Sequence, residues 1–409
     1  MIERYRYISN IENILSLNKA VFLVWWRQVG KTTLMKYFQK KYWGVYINFD
    51  EISWDILIFK TLKSFLDYIN FYFNINLEEE NWIFFDEVIR VKNFNVIFKA
   101  FKDKYPNKKI VCSASGNYDI VNSIVEGLAW RVIKLEVFPL SFDEFMWFKW
   151  KKLEFSQIDE NIFNLILPYL LEYLTFGGYP EVVLTNDLNK KFLVLKSIVD
   201  SVFEKDLTFF ITKQEFPDLK KLIWWISENI WNPFSYEWLS SALWIKVKRL
   251  KFYLDLLERS YLIKFLPPFR TDKKIEYNKK SKLYLLDFGI VNYFLGRLLQ
   301  IKQNITWKDC EMMVFLNLLF KKDFNEQMYY YRKINGTEID FVIKKWEKLV
   351  PIEAKLENKD NIPKVFVYFL EKYKEKVEYF IKTTKWLSFE RELNWKKILG
   401  IPFWMIGNI

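Results

Sequence analysis

The 409-residue chain contains no histidine and only two cysteines, and these deficits exclude several classes of chemistry. Without histidine, Ser-His-Asp and Cys-His catalysis and histidine-ligated metals are excluded, which leaves carboxylates, lysine, backbone amides and bound hard cations. Cys112 and Cys310 lie far apart in the sequence, so neither a disulfide framework nor structural zinc is expected. Apolar runs long enough to span a bilayer and an N-terminal export segment are also lacking. We therefore expect a cytoplasmic protein with no membrane partner.

Glycine is scarce as well, and tryptophan is in excess. At the usual glycine frequency of about 7%, a chain of this length would contain roughly 29 glycines. This chain contains 11 glycines and 18 tryptophans, and the two counts together match that expectation.

The remaining composition is that of a globular protein with a basic charge balance. Apolar residues make up 51% and charged residues 27% of the chain, and the net charge is +12. A positive charge favours anionic partners such as nucleotides and nucleic acid, but a lysine-rich solvated surface gives the same number. Charge alone therefore identifies no partner.

A short apolar run, residues 21–24, is followed by a loop and then by a helical pattern. This order is typical of a P-loop, in which backbone N–H groups and a helix N-terminus bind phosphates. Lys31 would reach the β and γ oxygens, and the hydroxyl of Thr32 would ligate Mg²⁺. The residues expected to bind the nucleotide are Arg27, Gln28, Val29, Gly30, Lys31, Thr32, Thr33 and Ser113.

Two carboxylates, Asp86 and Glu87, directly follow a second apolar run at residues 82–85. An ATPase needs such a pair beside its P-loop: Asp86 would hold hydrated Mg²⁺, and Glu87 would polarise the attacking water. A further strand-like run, residues 109–112, leads into residues 113–116, where a polar side chain would sense the γ-phosphate. The alternative is an unrelated α/β domain with acidic strand ends.

Five motifs occur in the order in which one protein family has them, at residues 27–33, 84–88, 128–131, 139–145 and 176–181. Together they resemble the prokaryotic AAA-type ATPases that carry a C-terminal domain of unknown function with a restriction-endonuclease-like core. The resemblance covers almost the whole chain. It implies an AAA-type P-loop NTPase with Walker A and Walker B motifs, ATP and Mg²⁺ as cofactors, and ATP hydrolysis.

The resemblance also implies a role for Arg131, which ends the third of these motifs. It would act as a γ-phosphate sensor or as an arginine finger. The alternative is a structural salt bridge, and both interpretations stay open at this point.

The sequence departs from the family where the family has glycine. Trp25 and Trp26 begin the P-loop, where glycine and then glycine or proline are usual, and Trp130 replaces the glycine of a Leu-Ala-Gly-Arg motif. Further tryptophans at expected turns are Trp231, Trp244, Trp307 and Trp346. One explanation is a degenerate scaffold without nucleotide, because an indole would fill the space that a phosphate needs. The other is that the gene comes from a lineage that reads the codon UGA as glycine, and that its UGA codons were translated as tryptophan.

We expect a mixed α/β chain of four domains. They are a P-loop ATPase domain at 1–148, a helical lid at 149–215, a winged helix at 216–285 and a small nuclease-like α/β domain at 286–409. The second helix of the winged helix would enter a DNA major groove with Lys246, Lys248, Arg249 and Lys251. The lysine-rich stretch from Lys273 to Lys282 would form its wing. The alternative is a winged helix that only packs or pairs subunits.

The C-terminal part carries a second set of charged residues, on two strand-like segments around a turn at Trp346. Asp340 on the first segment, with Glu353 and Lys355 on the second, resembles the core of PD-(D/E)XK nucleases. Asp340 and Glu353 would bind Mg²⁺, Glu311 would add a carboxylate, and Lys355 would orient or deprotonate water. The alternatives are a retained fold with a buried ion-pair network and a solvated strand in a lysine-rich chain.

The function that the sequence favours is Mg²⁺-dependent binding and hydrolysis of ATP, coupled to an unknown partner. A DNA-binding nuclease regulated by the ATPase is the first alternative, and a catalytically dead interaction scaffold is the second. The expected partners are ATP, DNA at the basic helix, and further copies of the chain in a homo-oligomer.

Overall fold

A computed structural model describes most of the chain. The described residues are 4–24, 28–51, 57–114, 118–151, 153, 158–230, 233–269, 281–333 and 337–407. They form two compact units, Met1–Pro139 with Asp200–Phe210 and Leu140–Val199 with Ile211–Ile409. Within the described ranges, no helix has both the length and the apolar character needed to cross a membrane. The four-domain division above stays a proposal.

The first unit is built on a parallel sheet flanked by helices. Its elements are α1 Tyr5–Ser16, β1 Ala20–Val24, α2 Lys31–Tyr42, β2 Val45–Asn48, β3 Leu57–Ile58, α3 Leu62–Phe73, β4 Trp82–Asp86, β5 Val91–Lys92, α4 Phe94–Lys104, β6 Lys109–Ala114, α5 Tyr118–Leu128 and β7 Val132–Glu136. The five main strands lie in the order β2-β4-β6-β1-β7, and every neighbouring pair is parallel. β1 is buried along its whole length, as expected for a parallel strand covered on both faces.

This strand order positions the candidate nucleotide site. β6 lies between β1, which leads into the phosphate loop, and β4, which ends at Asp86. Since all strands are parallel, their carboxyl ends meet at one edge of the sheet, where ligands of open α/β sheets bind. The loop, Asp86 and Ser113 therefore share this edge.

The rest of the chain is helical at first and ends in a second sheet. Its elements are α6 Phe142–Phe148, α7 Glu160–Phe176, α8 Pro180–Leu184, α9 Leu188–Ser201, α10 Phe216–Glu228, α11 Tyr236–Leu243, α12 Val247–Arg259, β8 Ile263–Leu266, β9 Lys282–Leu285, α13 Phe288–Phe294, α14 Trp307–Lys321, β10 Glu326–Arg332, β11 Glu338–Lys345, β12 Lys348–Glu353, α15 Lys364–Tyr373, β13 Phe380–Thr384, β14 Phe389–Leu393 and β15 Lys396–Pro402.

The second sheet has the strand order β10-β11-β12-β13-β15-β14. The β12/β13 and β13/β15 pairs are parallel, and the others are antiparallel. Phe366 and Phe369 of α15 pack into one apolar cluster with Ile339, Phe380 and Ile398 of the strands. The sheet is therefore a C-terminal domain core with a helix on one face.

The helices α10 to α12 precede an antiparallel pair formed by β8 and β9. Ser235 caps α11 by accepting a hydrogen bond from the N–H of Trp238, as the sequence predicts for this serine. The predicted wing residues from Lys273 to Lys280 lie outside the described residues.

The glycine pair in the motif at 176–181 allows two backbone segments to approach closely. Gly177 has φ +74°, and a Cβ on Gly178 would lie 2.2 Å from the carbonyl oxygen of Leu140. The N–H of Gly178 donates to Asp287 at 2.7 Å. Burial raises the pKa of Asp287 to about 7, against the opposing effect of its backbone N–H donors. The motif is thus a packing feature of the second unit.

Candidate functional site

Residues 28–30, directly before α2, have backbone conformations that suit an anion-binding loop. Gln28 and Gly30 have positive φ values of 64° and 96°, and Val29 between them is buried. Left-handed residues before a helix direct successive N–H groups toward one point, which suits a phosphate.

The helix α2 begins directly at the predicted lysine. Lys31 is its first residue and is buried, whereas Thr32 and Thr33 are exposed on the same turn. The helix N-terminus adds a partial positive charge at this position. Three residues of the predicted loop lie outside the described residues, namely Trp25, Trp26 and Arg27.

Asp86, at the end of β4, is buried and receives three hydroxyl hydrogen bonds. Thr32 donates to its Oδ2 at 2.7 Å, and Tyr46 donates to the same oxygen at 2.6 Å. Ser113 donates to its Oδ1. The structure thus brings together the threonine hydroxyl and the carboxylate that were predicted to hold Mg²⁺, and both are hard oxygen ligands.

Tyr46 is a site residue that the sequence analysis missed. Burial, reinforced by the hydrogen bond to Asp86, raises the pKa of the Tyr46 phenol, which therefore stays a donor. Its position follows from the parallel register of β2 and β4, which pairs Asn48 with Asp86.

The Ser113 hydroxyl forms hydrogen bonds with both acidic residues and does not face a space that a phosphate could occupy. Besides donating to Asp86, its hydroxyl accepts a hydrogen bond from the N–H of Glu87 at 3.4 Å. Glu87 has φ 54°, which is uncommon for glutamate, and such conformations cluster at functional sites.

Arg131 forms an ion pair inside the first unit. Its Nε lies 2.6 Å from Oδ1 of Asp103, and its Nη2 donates to Oδ2 at 2.8 Å. Asp103 belongs to α4, so the pair joins this helix to the turn before β7. The arrangement matches the structural alternative, and a role at the γ-phosphate stays a prediction.

The C-terminal constellation is also assembled, at the end of β12. Lys355 Nζ lies 2.8 Å from Glu353 Oε1, and the N–H of Ala354 donates to Asp340 Oδ2 at 2.8 Å. Burial and the neighbouring Asp340 raise the pKa of Glu353 to about 8. Glu353 Oε2 is buried and has no hydrogen-bond partner in the described part of the chain.

Glu311 is held by residues that the sequence analysis had not assigned to this cluster. Lys282 Nζ lies 3.0 Å from Glu311 Oε1 and 2.5 Å from Glu338 Oε1, and Tyr284 donates to Glu311 at 2.7 Å. Burial raises the pKa of Glu311 to about 7, although Lys282 opposes this effect. The placement of Lys282 in a DNA-binding wing is therefore wrong, because this lysine is buried among carboxylates.

The three carboxylates predicted to bind a metal in the C-terminal part, Glu311, Asp340 and Glu353, are only partly arranged as metal ligands. Over the described ranges, no group of three or more His, Cys, Asp or Glu side chains is placed to hold a metal ion. Since Lys282 already neutralises Glu311, the oxygens that fit a cation are those of Asp340 and the buried, unpartnered Oε2 of Glu353.

The basic residues of α12 differ in their surroundings. Lys246 and Lys248 are exposed, and Lys251 is exposed with its Nζ 4.9 Å from the ring of Tyr236. Arg249 instead pairs with Glu215 within the second unit. Three of the four residues predicted to contact DNA are thus available at the surface.

Tryptophan occupies left-handed positions that normally belong to glycine. Positive φ is found at Trp43 (53°), Trp150 (60°), Trp244 (59°), Trp346 (55°) and Trp395 (66°). Left-handed φ is a genuine outlier for a bulky residue. Of the other predicted glycine positions, Trp130 lies in a short 3₁₀ turn, Trp307 begins α14, and Trp231 lies outside the described residues.

The sequence matches an AAA domain family over residues 17–146. Two domains of unknown function match further along, DUF8612 over 167–300 and DUF4143 over 310–403. A solved structure of the replication initiator DnaA bound to AMPPCP and single-stranded DNA is 13% identical, with 63% of this chain and 90% of that chain covered. Its TM-score is 0.31.

Two relatives match over most of their length. An uncharacterized protein of Haemophilus influenzae is 22% identical, over 88% of this chain and 88% of the relative. The uncharacterized protein MJ1544 of Methanocaldococcus jannaschii is 30% identical over 355 residues, which are 82% of this chain and 74% of the relative. The chain therefore belongs to the same family as MJ1544, and it contains an AAA-type P-loop ATPase domain over residues 17–146.

Proposed function

We propose that this protein binds ATP with Mg²⁺ and hydrolyses it at the carboxyl edge of the first sheet. The observation that carries the proposal is the contact of Thr32 with Asp86 directly beside the phosphate loop. These residues lie on different elements, and a P-loop NTPase needs this threonine hydroxyl and this carboxylate on its Mg²⁺.

Each residue of the site has a role in this reaction. The loop N–H groups and Lys31 would bind the β and γ phosphate oxygens, and Thr32 and Asp86 would hold Mg²⁺, which would supply charge neutralisation for the phosphates. Tyr46 and Ser113 orient the Asp86 carboxylate through their hydrogen bonds. Glu87, the residue after Asp86, polarises the attacking water.

The Glu87→Gln variant is expected to bind Mg²⁺-ATP as the parent does and to hydrolyse it at least about 100-fold more slowly. The amide keeps the shape of the side chain and loses the base. Nucleotide affinity and single-turnover hydrolysis measure the two effects separately. The matched control is Glu126→Gln, an exposed glutamate on α5. Normal turnover by Glu87→Gln would show that another group activates the water.

We also propose that glycine, encoded by UGA, is the natural residue at the left-handed tryptophans. Trp43 and Trp244 are the C-caps of α2 and α11, where glycine is the usual left-handed residue. Asn394 and Trp395 form the two-residue loop between β14 and β15 and both have positive φ, as in the type I′ turn that favours Asn-Gly. Trp346 is the first residue of the two-residue loop between β11 and β12. This position has positive φ in both the type I′ and the type II′ turn.

Substituting glycine at Trp244 or Trp395 should raise the free energy of unfolding by about 1 kcal/mol, the order of the left-handed penalty for residues with a Cβ. Both indoles are 93% exposed, so their removal costs little packing. Trp404→Gly is the matched control. Its indole is 2% exposed and donates to the carbonyl of Lys385, and its loss should cost about 3–5 kcal/mol. Denaturant unfolding measures both, and destabilisation at Trp244 and Trp395 would contradict the proposal.

The codons at these tryptophan positions in the gene test the glycine proposal directly. We expect UGA codons at positions 43, 150, 244, 346 and 395 and UGG at Trp404. UGG codons throughout would instead make the degenerate scaffold the leading interpretation.

A second candidate function is nuclease activity of the C-terminal domain, regulated by the ATPase. The observation that favours it is the buried, unpartnered oxygen of Glu353 beside Asp340 and Lys355. Asp340 and Glu353 would hold Mg²⁺, and Lys355 would orient water for phosphodiester attack. DNA would contact Lys246, which directly precedes α12, and Lys248 and Lys251 of α12.

Adding Mn²⁺ without nucleotide is expected to raise the melting temperature of the full chain if this site binds a cation. The reason is that the cation offsets the repulsion between the Asp340 and Glu353 carboxylates and binds only the folded state. The Asp340→Asn variant should lose that gain. Asp323→Asn, at an exposed aspartate paired with Lys345, should keep it. A melt that Mn²⁺ does not change, together with uncut plasmid DNA, would favour the ion-pair network over the nuclease.

A further inference from the structure

Arg4, the residue before α1, is buried and donates to three backbone carbonyl groups. Its Nη1 lies 3.2 Å from the oxygen of Val29 and 2.9 Å from that of Phe138, and its Nη2 lies 3.3 Å from that of Pro139. The guanidinium carbon also lies 4.4 Å from the ring centre of Tyr7. One side chain thus connects the phosphate loop with the segment that follows β7.

The carbonyl of Val29 belongs to the loop that we propose to bind phosphate. When a loop directs its N–H groups toward an anion, its carbonyl groups point largely the other way, into the protein. Buried carbonyl groups need a donor there. Val29 is fully buried, and the donor is Arg4, whose planar fork can serve several acceptors at once where a lysine cannot.

The other end of this connection is anchored to the sheet. The N–H of Val137 donates to the carbonyl of Val24 at 2.9 Å, which extends the pairing of β7 with β1. The N–H of Phe138 donates to the Tyr7 hydroxyl at 2.9 Å. The segment 137–139 is therefore held by β1 and α1 independently of Arg4.

We propose that Arg4 is a positioning residue for the phosphate loop. By holding the Val29 carbonyl against the anchored segment 137–139, it fixes the loop in the conformation that presents its N–H groups to the nucleotide. Arg4 itself does not contact the phosphates. This role rests on the proposed ATP site and adds a residue from outside the P-loop motif to it.

The first test compares Arg4→Ala and Arg4→Lys with the parent in Mg²⁺-ATP affinity and steady-state kinetics. Loss of charge-assisted hydrogen bonds to the loop should weaken ATP affinity about tenfold, with a much smaller change in kcat. Lysine keeps the charge but not the fork, so Arg4→Lys should also bind ATP more weakly. Tyr7→Phe is the matched control, since it removes the hydroxyl that faces Phe138 and leaves the Val29 contact. Unchanged affinity in folded Arg4→Ala would overturn the proposal.

A second measurement is independent of the nucleotide. Hydrogen exchange of the nucleotide-free protein, well below its melting temperature, should speed up in Arg4→Ala at residues 28–31. Tyr7→Phe should affect only the segment 137–139. If exchange at 28–31 does not change in Arg4→Ala, Arg4 does not position the loop. Should the parent bind no ATP, the proposed function fails, while the exchange result still decides the role of Arg4.

Discussion

Replacing Lys31 with alanine is expected to weaken Mg²⁺-ATP binding about 100-fold, because charge-assisted hydrogen bonds to the phosphates are lost from a buried position. Turnover should fall below detection, since the same charge stabilises the developing charge on the transferred phosphoryl group. Lys31 is the first residue of α2, so its ammonium group and the helix N-terminus act on the same anion.

The measurement for Lys31 is nucleotide affinity by calorimetry together with phosphate release. Lys40→Ala is the matched control, an exposed lysine in the last turn of the same helix. It removes an equal charge from α2 and should leave both affinity and turnover nearly unchanged. Equal behaviour of the two variants would contradict the assignment of this loop.

Removing Lys282 should strongly destabilise the C-terminal domain. The Lys282→Ala variant leaves Glu311 and Glu338 without their shared cation, and breaking a buried ion pair in this way costs about 3–5 kcal/mol. The Lys282→Met variant keeps an apolar stem. The loss of stability that Lys282→Ala and Lys282→Met share therefore reports on the missing charge.

The control for Lys282 is Lys348→Ala, at an exposed lysine on β12 of the same sheet. A surface substitution of this kind is expected to change stability by less than about 0.5 kcal/mol. Chemical unfolding of the full chain gives the comparison. If Lys282→Ala is as stable as Lys348→Ala, the buried network does not hold this domain together.

Local sequence patterns predicted the parts of the fold that local interactions determine. The apolar run of β1 and the helix that follows the phosphate loop occur as the sequence predicts, because strands and helices each have their own hydrophobic periodicity. Asp86 likewise ends a buried strand. The AAA-type P-loop domain that the motifs imply is confirmed by the family match over residues 17–146.

Contacts that depend on strand order and register could not be read from the sequence. The hydrogen bond from Tyr46 to Asp86 exists because β2 and β4 are neighbours in parallel register. Lys282 ends a lysine-rich stretch of the sequence, yet β9 carries it into a cluster with Glu311 and Glu338. Arg4 reaches residues that are more than 130 positions away.

The tryptophan positions show what backbone conformation adds to composition. The glycine deficit and the expected turns predicted glycine at Trp244 and Trp346, and both positions have positive φ. Trp43, Trp150 and Trp395 were not among the predicted turns, and only their φ values single them out. Trp404 is buried and hydrogen-bonded, so the same residue type serves as an ordinary core side chain there.

ATP hydrolysis at this site is tested by steady-state phosphate release, in protein made with glycine at every UGA codon. We expect release that requires both Mg²⁺ and Lys31: it stops with a chelator, and it stops in Lys31→Ala while that variant remains folded. Release that continues without Mg²⁺ or without Lys31 would contradict the proposed site. So would a folded protein that neither binds nor hydrolyses ATP.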